Sequence, residues 1–571
     1  MALVALLAVH GLLLATYLVP VVSGSDDNAY HLAARLLERH GRIHLEAGDD
    51  PLAYVGRMWV QVGDGSRYFP KYPPVYPALT AAAMRLAGDF AGFLLSPLLA
   101  WSSVLAIYLL CRARGLAVDV ALLGAFVMAT LPLVNSFAVT QVSHATSLAL
   151  VVWGYVLFFV GCDPGRRRAL PLLAASGLLL GCATGVRYTD ALLVLPALLW
   201  LVSEPPRGIP EEGGGGAAHR RRAGVFLAGW LLPCVVVAVY HWRAFGGPLT
   251  TAYALTEEQG GFAVSYLAQN LRLYLATLPV LLLGPVTILA ALGWLVAWRG
   301  DPARRRDRRL ALFHLAWIAP PLVTYLAYSW APEGHPRSYL RFLLPLVVPG
   351  ILLAMRAIDG IGGRDAGSAA WRRAAVVAVI AVQGSWGLAA SLDQLELLYG
   401  FNRRVEQRVR LVEKNVAPGS VVFGELAVLD SLDYLQTYDL YWANLLDRDA
   451  LAARLERTLR PGPDSLQPRR AEYLRDHLVA VDPTVYRSRV RRLIDAPLAD
   501  GRAVYLVGTG ATRAKLDRLA PDGYRLEKVG ALPAAERPHR LFAPGQTVSR
   551  AATETGVVAE PFNIWRVRGA R

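Results

Sequence analysis

The sequence predicts an α-helical polytopic membrane protein with a separate α/β domain at its C-terminal end. Three observations lead to this prediction: 54% of the 571 residues are hydrophobic, the mean hydropathy is +0.35, and long apolar runs separated by short Arg-rich connections fill residues 1–392. Only 18% of the residues are charged, which is too few for a soluble chain this apolar. The net charge is +15, but the arginines cluster in those short connections rather than along one face, so nucleic acid is not an expected partner.

A helix that spans a membrane needs about 20 mostly apolar residues, and eleven runs qualify as candidates. The first run lacks a basic n-region and a small-residue cleavage site, so we expect a retained helix rather than a signal peptide. The run 75–88 is too short to span and is predicted to lie at the membrane interface. The predicted spans are residues 2–23, 91–112, 116–136, 143–161, 169–185, 188–203, 224–242, 276–298, 310–330, 340–357 and 374–392.

Lysine and arginine mark the cytoplasmic side of the short connections in a membrane protein. Here the connections after even-numbered spans carry arginine clusters such as 166–168 and 304–306. The opposite short connections carry only Arg187, Arg243, Arg272 and Arg337. We therefore predict a cytoplasmic N-terminus, with the loop 24–89 and the region after residue 392 outside. The lack of Asn-x-Ser/Thr sequons and the excess of Arg over Lys favour the plasma (inner) membrane of a prokaryote.

The chain is predicted to form two domains: a membrane domain, 1–392, that includes the large outer loop 24–89, and an extracytoplasmic α/β domain, 393–571. In the second domain a helical pattern alternates with short apolar strand patterns. The helical pattern is at 403–414, and the strand patterns are at 420–423, 503–507 and 564–567. The polar, glycine-rich stretch 211–216 is predicted to be a flexible cytoplasmic linker.

Two adjacent carboxylates, Asp26 and Asp27, follow the first predicted span at the start of an amphipathic helix. One interpretation is structural: Ser25 or Asp26 caps the helix, and Asp27 interacts favourably with its dipole. The other interpretation is catalytic: one carboxylate, with a pKa raised by its neighbour and by partial burial, acts as a general base. The two roles are compatible, so both stay open.

A lysine stands among aromatic and proline residues at the end of the same loop, in the stretch RYFPKYPPVYP from Arg67 to Pro77. The aromatic residues and prolines are typical of an interfacial anchor. Lys71, however, is one of only four lysines in the chain, and every other cation before residue 414 is arginine. An ammonium beside a stiff Pro-Pro turn is a candidate fixed charge for a phosphate.

In their order, these motifs resemble those of the GT-C glycosyltransferases of the protein O-mannosyltransferase and aminoarabinose transferase type. The resemblance begins with the acidic pair and the RYFPKYPP stretch, and it continues through 181–190, 245–253 and 341–345. It implies a GT-C-like fold with about 11 transmembrane helices. It also implies an enzyme that moves a sugar from a polyprenyl-phosphate donor to an extracytoplasmic acceptor by direct, inverting displacement.

The resemblance implies roles for individual residues. Asp26 activates the acceptor with Asp27 beside it, and Lys71 and Arg341 bind the donor phosphate. A phosphate leaving group needs fixed positive charge rather than a proton donor, which suits two cations. The candidate substrate-binding residues are Tyr30, Tyr72, His144, Arg187 and Arg337. His144 has a structural alternative as a hydrogen-bonding group at a helix end, and Arg187 has one as an ion-pair partner of Asp190.

No cofactor is expected, and no metal site is predicted. Many GT-C relatives carry an acidic residue in the second outer loop, where this chain has Thr140-Gln-Val-Ser-His144, so a role for a divalent metal stays open. The four cysteines lie in or beside apolar runs and form no CxxC pattern. Gly508-Thr-Gly510 has Arg513 in place of a third glycine, so no nucleotide site is expected.

Two other classes of function are compatible with a polytopic chain. A transporter generally needs charged groups near the middle of its spans, and these spans have almost none. A non-catalytic scaffold for envelope assembly would explain the outer domain but leaves Asp26, Asp27 and Lys71 without a role. The sequence does not specify the sugar or the prenyl carrier. It also does not specify whether the acceptor is a protein, a lipid or a glycan.

Overall fold

The computed structural model describes most of the 571-residue chain. The described residues are 1–63, 65–163, 168–203, 215–256, 258–299, 305–329, 336–361, 366–459, 468–521, 523–534 and 560–569. Most of the predicted cytoplasmic linker 211–216 lies outside them.

Each predicted span corresponds to a helix, or to a bent pair of helices, in the described part of the chain. Seven helices there are long and apolar enough to cross a membrane, two bent pairs also qualify, and two shorter apolar helices lie at Ala2–Tyr17 and Tyr188–Ser203. The protein is therefore a multi-pass membrane protein. The helices of this domain are α1 (Ala2–Tyr17), α4 (Asp89–Ala113), α5 (Val118–Thr130), α6 (Pro132–Ala138), α7 (His144–Gly161), α8 (Ala169–Val186), α9 (Leu195–Ser203), α10 (Gly215–Phe245), α11 (Ala252–Leu255), α12 (Leu267–Leu281), α13 (Val286–Arg299), α14 (Arg305–Leu326), α15 (Pro336–Leu340), α16 (Val347–Ile361) and α17 (Ala366–Asn415).

Two of the predicted spans are not continuous helices. The run 116–136 bends by 59° between α5 and α6, where Pro132 starts the second segment. The run 276–298 bends by 107° between α12 and α13, where Gly284, at φ 59°, precedes Pro285. Proline lacks the backbone N–H that a continuing helix requires, and glycine accepts the positive φ of the turn.

The segment between the first two spans folds as a compact unit. It contains the helices α2 (Ser25–His40) and α3 (Val75–Ala87) and the strands β1 (Leu45–Glu46), β2 (Trp59–Val62) and β3 (Arg67–Pro70). The strands pair antiparallel in the order β1-β3-β2. Helix α3 occupies the run that was predicted to be too short to span.

Helix α17 leads from the membrane domain into the C-terminal domain as one 50-residue helix, so the predicted boundary at 392 falls inside it. The C-terminal sheet has the order β5-β4-β6-β8-β7, with β5, β4 and β6 parallel and β8 and β7 antiparallel. The three predicted strands match β4, β6 and β8, whereas β5 and β7 were not predicted. The elements after α17 are β4 (Val421–Gly424), α18 (Leu426–Leu435), β5 (Asp439–Trp442), α19 (Arg448–Leu459), α20 (Pro468–Leu474), α21 (Pro483–Ala499), β6 (Val504–Gly508), α22 (Gly510–Leu519), β7 (Tyr524–Leu532) and β8 (Phe562–Gly569).

Candidate active site

Asp26 and Asp27 lie in the first turn of helix α2, but neither they nor Ser25 cap it. Gly24 occupies the N-cap position, and no side chain accepts a capping hydrogen bond there. The predicted capping by Ser25 or Asp26 is therefore wrong. Asp27 instead accepts hydrogen bonds from the backbone N–H of Ser23 at 3.3 Å and from its hydroxyl at 2.9 Å. These bonds hold the chain that enters the helix and leave the Asp26 carboxylate available for other contacts.

The Asp26 carboxylate joins two distant parts of the chain. Its Oδ1 accepts a hydrogen bond from the Tyr72 hydroxyl at 2.7 Å, and its Oδ2 pairs with the Arg341 guanidinium at 3.1 Å. The side chains of Asp26 and Arg341 are 24% and 21% exposed, so this ion pair is partly accessible to solvent. Burial raises the pKa of Tyr72 above its usual range, so its hydroxyl stays protonated and donates to Asp26.

Asp27 differs from Asp26 in its surroundings. The residue is only 7% exposed, and burial raises its pKa to about 7. The hydrogen bonds from Ser23 oppose this shift, whereas the negative charge of Asp26 adds to it. Near neutral pH, Asp27 therefore exchanges a proton readily, and the environment distinguishes two carboxylates that are adjacent in the sequence.

Lys71 lies beside the same cluster and pairs with a carboxylate other than Asp26. Its ammonium group pairs with Glu258 and lies 5.7 Å from the centre of the Tyr253 ring. That ring meets the Tyr72 ring edge-on, with their centres 6.3 Å apart. Lys71 and Arg341 thus flank one group of tyrosines, and each cation is paired with a different acid.

Tyr30 and Arg187 complete the cluster. The Tyr30 ring stacks on Tyr72 with centres 4.5 Å apart, and the Tyr30 and Ser143 hydroxyls lie 3.0 Å apart. Arg187 donates to Nδ1 of His144, so that nitrogen is unprotonated, and it also donates to the Arg341 carbonyl oxygen at 3.2 Å. Arg187 therefore supports the backbone that carries Arg341.

The charges of Arg187 and Asp190 act on each other, as the alternative interpretation expects, but the hydrogen bonds of the two side chains go to other groups. A second Arg187 nitrogen donates to the Tyr325 hydroxyl at 3.2 Å, and Asp190 accepts from the Ser147 hydroxyl. Arg337 stacks over the ring of Phe137 at 4.8 Å, and its charge acts on both Asp27 and Arg341.

The predicted site residues thus come together at one end of the helix bundle, either in connections that the arginine distribution assigned to the outer side or, for His144 and Arg341, at the start of a predicted span. Glu258 and Ser143 belong to the same cluster but were not predicted. The only sequence signal for Glu258 is the acidic pair Glu257-Glu258, which lies a few residues after Tyr253 in a predicted outer loop. Among the described residues, no group of three or more His, Cys, Asp or Glu side chains is arranged to hold a metal ion.

Known proteins share this architecture. The sequence profile of the family described as dolichyl-phosphate-mannose-protein mannosyltransferase matches residues 71–210, which include Lys71, His144 and Arg187. The crystal structure of ArnT from Cupriavidus metallidurans bound to undecaprenyl phosphate aligns with a TM-score of 0.54 at 14% identity, over 92% of this chain and 96% of that chain. The chain has the GT-C fold. The fold class predicted from the hydropathy and from the order of the motifs is thereby confirmed.

A second GT-C structure also aligns along most of this chain. It is an oligosaccharyltransferase from Archaeoglobus fulgidus with a tethered acceptor peptide, at a TM-score of 0.47 and 12% identity, over 92% of this chain and 72% of that chain. A search of curated protein sequences gave no match.

Proposed function

We propose that this GT-C protein is a membrane glycosyltransferase that moves a sugar from a polyprenyl-phosphate donor to an acceptor by inverting displacement. The observation that carries the proposal is the contact of Asp26 with Arg341 at 3.1 Å and with Tyr72 at 2.7 Å. Lys71 joins the same group of tyrosines through the Tyr253 ring, whose centre lies 6.3 Å from that of Tyr72. A carboxylate suited to act as a base and two cations suited to a phosphate thus meet in one cluster. Undecaprenyl phosphate, present in the ArnT structure, is the corresponding lipid to test.

In the proposed reaction, Asp26 accepts the proton of the acceptor's nucleophilic group while that group bonds to the anomeric carbon of the sugar. The bond between this carbon and the phosphate oxygen breaks, and the lipid phosphate leaves with the electron pair. Lys71 and Arg341 stabilise the charge that accumulates on the leaving phosphate. Attack on the face opposite the phosphate inverts the configuration of the anomeric carbon.

Binding of the donor requires an exchange of partners at both cations. The phosphate replaces Glu258 at Lys71, and it shares Arg341 with Asp26 or displaces Asp26 from it. Displacement of Asp26 frees its Oδ2 for the acceptor, while the Tyr72 hydroxyl still holds Oδ1. Donor binding thereby prepares the base for the acceptor.

The placement of the charges favours an enzyme over the two alternatives. Asp26, Lys71 and Arg187 lie in connections at one end of the bundle, and Arg341 lies at the start of a predicted span at the same end. Ion-coupled transport, in contrast, generally uses charged groups near the middle of spans. A scaffold gives no reason for a solvent-accessible Asp26–Arg341 pair beside Lys71. From the arginine distribution, we place the reaction on the outer side of a prokaryotic plasma membrane.

Binding of undecaprenyl phosphate, measured by native mass spectrometry of the purified protein, tests the proposal. Lys71→Met and Arg341→Met should each weaken binding by about a hundredfold, since a fixed cation at a partly desolvated phosphate contributes on the order of a few kcal/mol. Arg272→Met is the matched control, because Arg272 is an exposed arginine of helix α12 and is not one of the residues assigned to the site. Equal binding by all three variants would refute the assignment of the phosphate site.

A further inference from the structure

The C-terminal domain holds the chain on both sides of the acidic pair. Before the pair, the Ser431 hydroxyl donates to the carbonyl oxygen of Val22. After it, the side chain of Asn28 binds helix α18, the same helix that carries Ser431. One helix from the C-terminal domain therefore fixes residues 22–28, the segment that contains Asp26 and Asp27.

The side-chain amide of Asn28 bonds to buried partners through both its nitrogen and its oxygen. Its nitrogen donates to the Asp430 carbonyl oxygen at 2.8 Å and to the Asp433 carboxylate at 3.2 Å. Its oxygen accepts from the Trp59 indole at 3.0 Å. Asn28 and Trp59 are both 0% exposed, so water does not compete for these bonds. A Cβ on Gly56 would lie 2.3 Å from the Asn28 oxygen, which shows how closely the outer loop encloses the amide.

Helix α18 is itself firmly held against the outer loop. The Asp430 carboxylate is fully buried, and it accepts from the Tyr54 hydroxyl at 2.6 Å and from the Arg57 guanidinium at 2.8 Å. Further along the interface, Arg35 of α2 donates to the Tyr434 carbonyl oxygen at 3.0 Å. Helix α18 can thus act as a rigid reference for helix α2.

We propose that helix α18 positions the catalytic turn of α2 and that Asn28 is its positioning residue. The first turn of an isolated helix frays, and α2 has no capping side chain to prevent this. Asn28 is fully buried between helix α18 and Trp59, out of reach of donor and acceptor. It fixes the direction of the turn, and hence the place of the Asp26 carboxylate relative to Arg341 and Tyr72. The proposal rests on the proposed function, in which Asp26 is the base.

Asn28→Ala tests this role through the kinetic constants. Misplacement of a reacting group by about 1 Å can cost about a hundredfold in rate, so kcat should fall by roughly tenfold to a hundredfold. The KM for the lipid donor should change by less than about threefold, because Lys71 and Arg341 stay in place. The control is Tyr441→Phe, which removes a 2.6 Å hydrogen bond to Asp50 between the same two domains without touching α2. An unchanged kcat in Asn28→Ala, or equal losses in both variants, would overturn the proposal.

Hydrogen–deuterium exchange of the full-length protein gives a readout that does not depend on turnover. In Asn28→Ala the backbone amides of residues 28–31, whose hydrogen bonds close the first turn of α2, should exchange at least about tenfold faster, whereas Tyr441→Phe should leave them unchanged. If Asn28→Ala does not fold, Ser431→Ala removes the contact on the other side of the pair and should have the same effect. Unchanged exchange would refute the positioning role. If the wild-type protein shows no glycosyl transfer while the variants show the expected exchange pattern, the proposed function is refuted and the positioning role is not.

Discussion

Asp26→Asn is the substitution that most clearly separates catalysis from structure. Asparagine keeps the size of the side chain and can still accept the hydrogen bond from Tyr72. It cannot pair with Arg341 as an anion, and it cannot accept a proton from the acceptor. The capping role that would have complicated this variant is absent, because Gly24 is the N-cap residue.

The expected effects on rate and on stability differ widely in size. General base catalysis contributes about a hundredfold to ten-thousandfold, so turnover should fall by that factor, which corresponds to roughly 3–5 kcal/mol in the transition state. The Asp26 and Arg341 side chains are 24% and 21% exposed, and such a part-exposed ion pair contributes only about 1 kcal/mol to stability. The variant should therefore remain folded at the temperature of the assay.

The assay measures transfer of the sugar from its polyprenyl-phosphate carrier under single-turnover conditions, with the thermal midpoint recorded for the same preparation. Asp50→Asn is the matched control, because Asp50 lies in the same loop and accepts a hydrogen bond from a tyrosine hydroxyl, that of Tyr441, at 2.6 Å. It should retain turnover within about threefold. Turnover in Asp26→Asn within tenfold of the wild type would show that another group is the base.

Three further predictions follow from the same geometry. Glu258→Gln should strengthen undecaprenyl phosphate binding about tenfold in native mass spectrometry, since a carboxylate no longer competes for Lys71; weaker binding would contradict that competition. Asp27 has a pKa of about 7 in the folded protein against a usual 3.8, so the folded state binds the proton more tightly than the unfolded state does. The thermal midpoint should therefore fall as pH rises from about 4 to 7, and it should fall less steeply in Asp27→Asn. If the midpoint falls equally steeply in both proteins, Asp27 is not the group responsible. A reporter fused after Arg306 should be cytoplasmic and one fused after residue 400 outside, and the opposite result would reverse the topology.

The membrane fold could be predicted from the sequence because the bilayer demands long apolar runs, and every predicted span has its counterpart. The bends could not be placed, because Pro132 and the Gly284-Pro285 pair stand within runs that remain apolar throughout. Hydropathy measures the composition of a run and is insensitive to a missing backbone N–H. Strand β5 was missed because its four residues are too few to show an alternating pattern, and β7 was missed because a register shift between Lys528 and Gly530 interrupts its alternation.

The residues of the candidate site could be predicted where a distinctive pattern of neighbouring residues marks them. Asp26 and Lys71 stand in distinctive neighbourhoods, an acidic pair and a Pro-Pro turn. Glu258 and Asn28 are different, because each derives its place from a partner far along the chain. Asn28 is bound by residues more than 400 positions later, and no local pattern reports that distance.

A structure of the protein with undecaprenyl phosphate bound, obtained by electron cryomicroscopy, tests the assignment of the donor site most directly. The phosphate oxygens should lie within hydrogen-bonding distance of the Lys71 ammonium and the Arg341 guanidinium. Glu258 should be displaced from Lys71, and Asp26 should share Arg341 with the phosphate or be displaced from it. A phosphate held elsewhere, with the Lys71–Glu258 and Arg341–Asp26 pairs both intact, would contradict the proposed site.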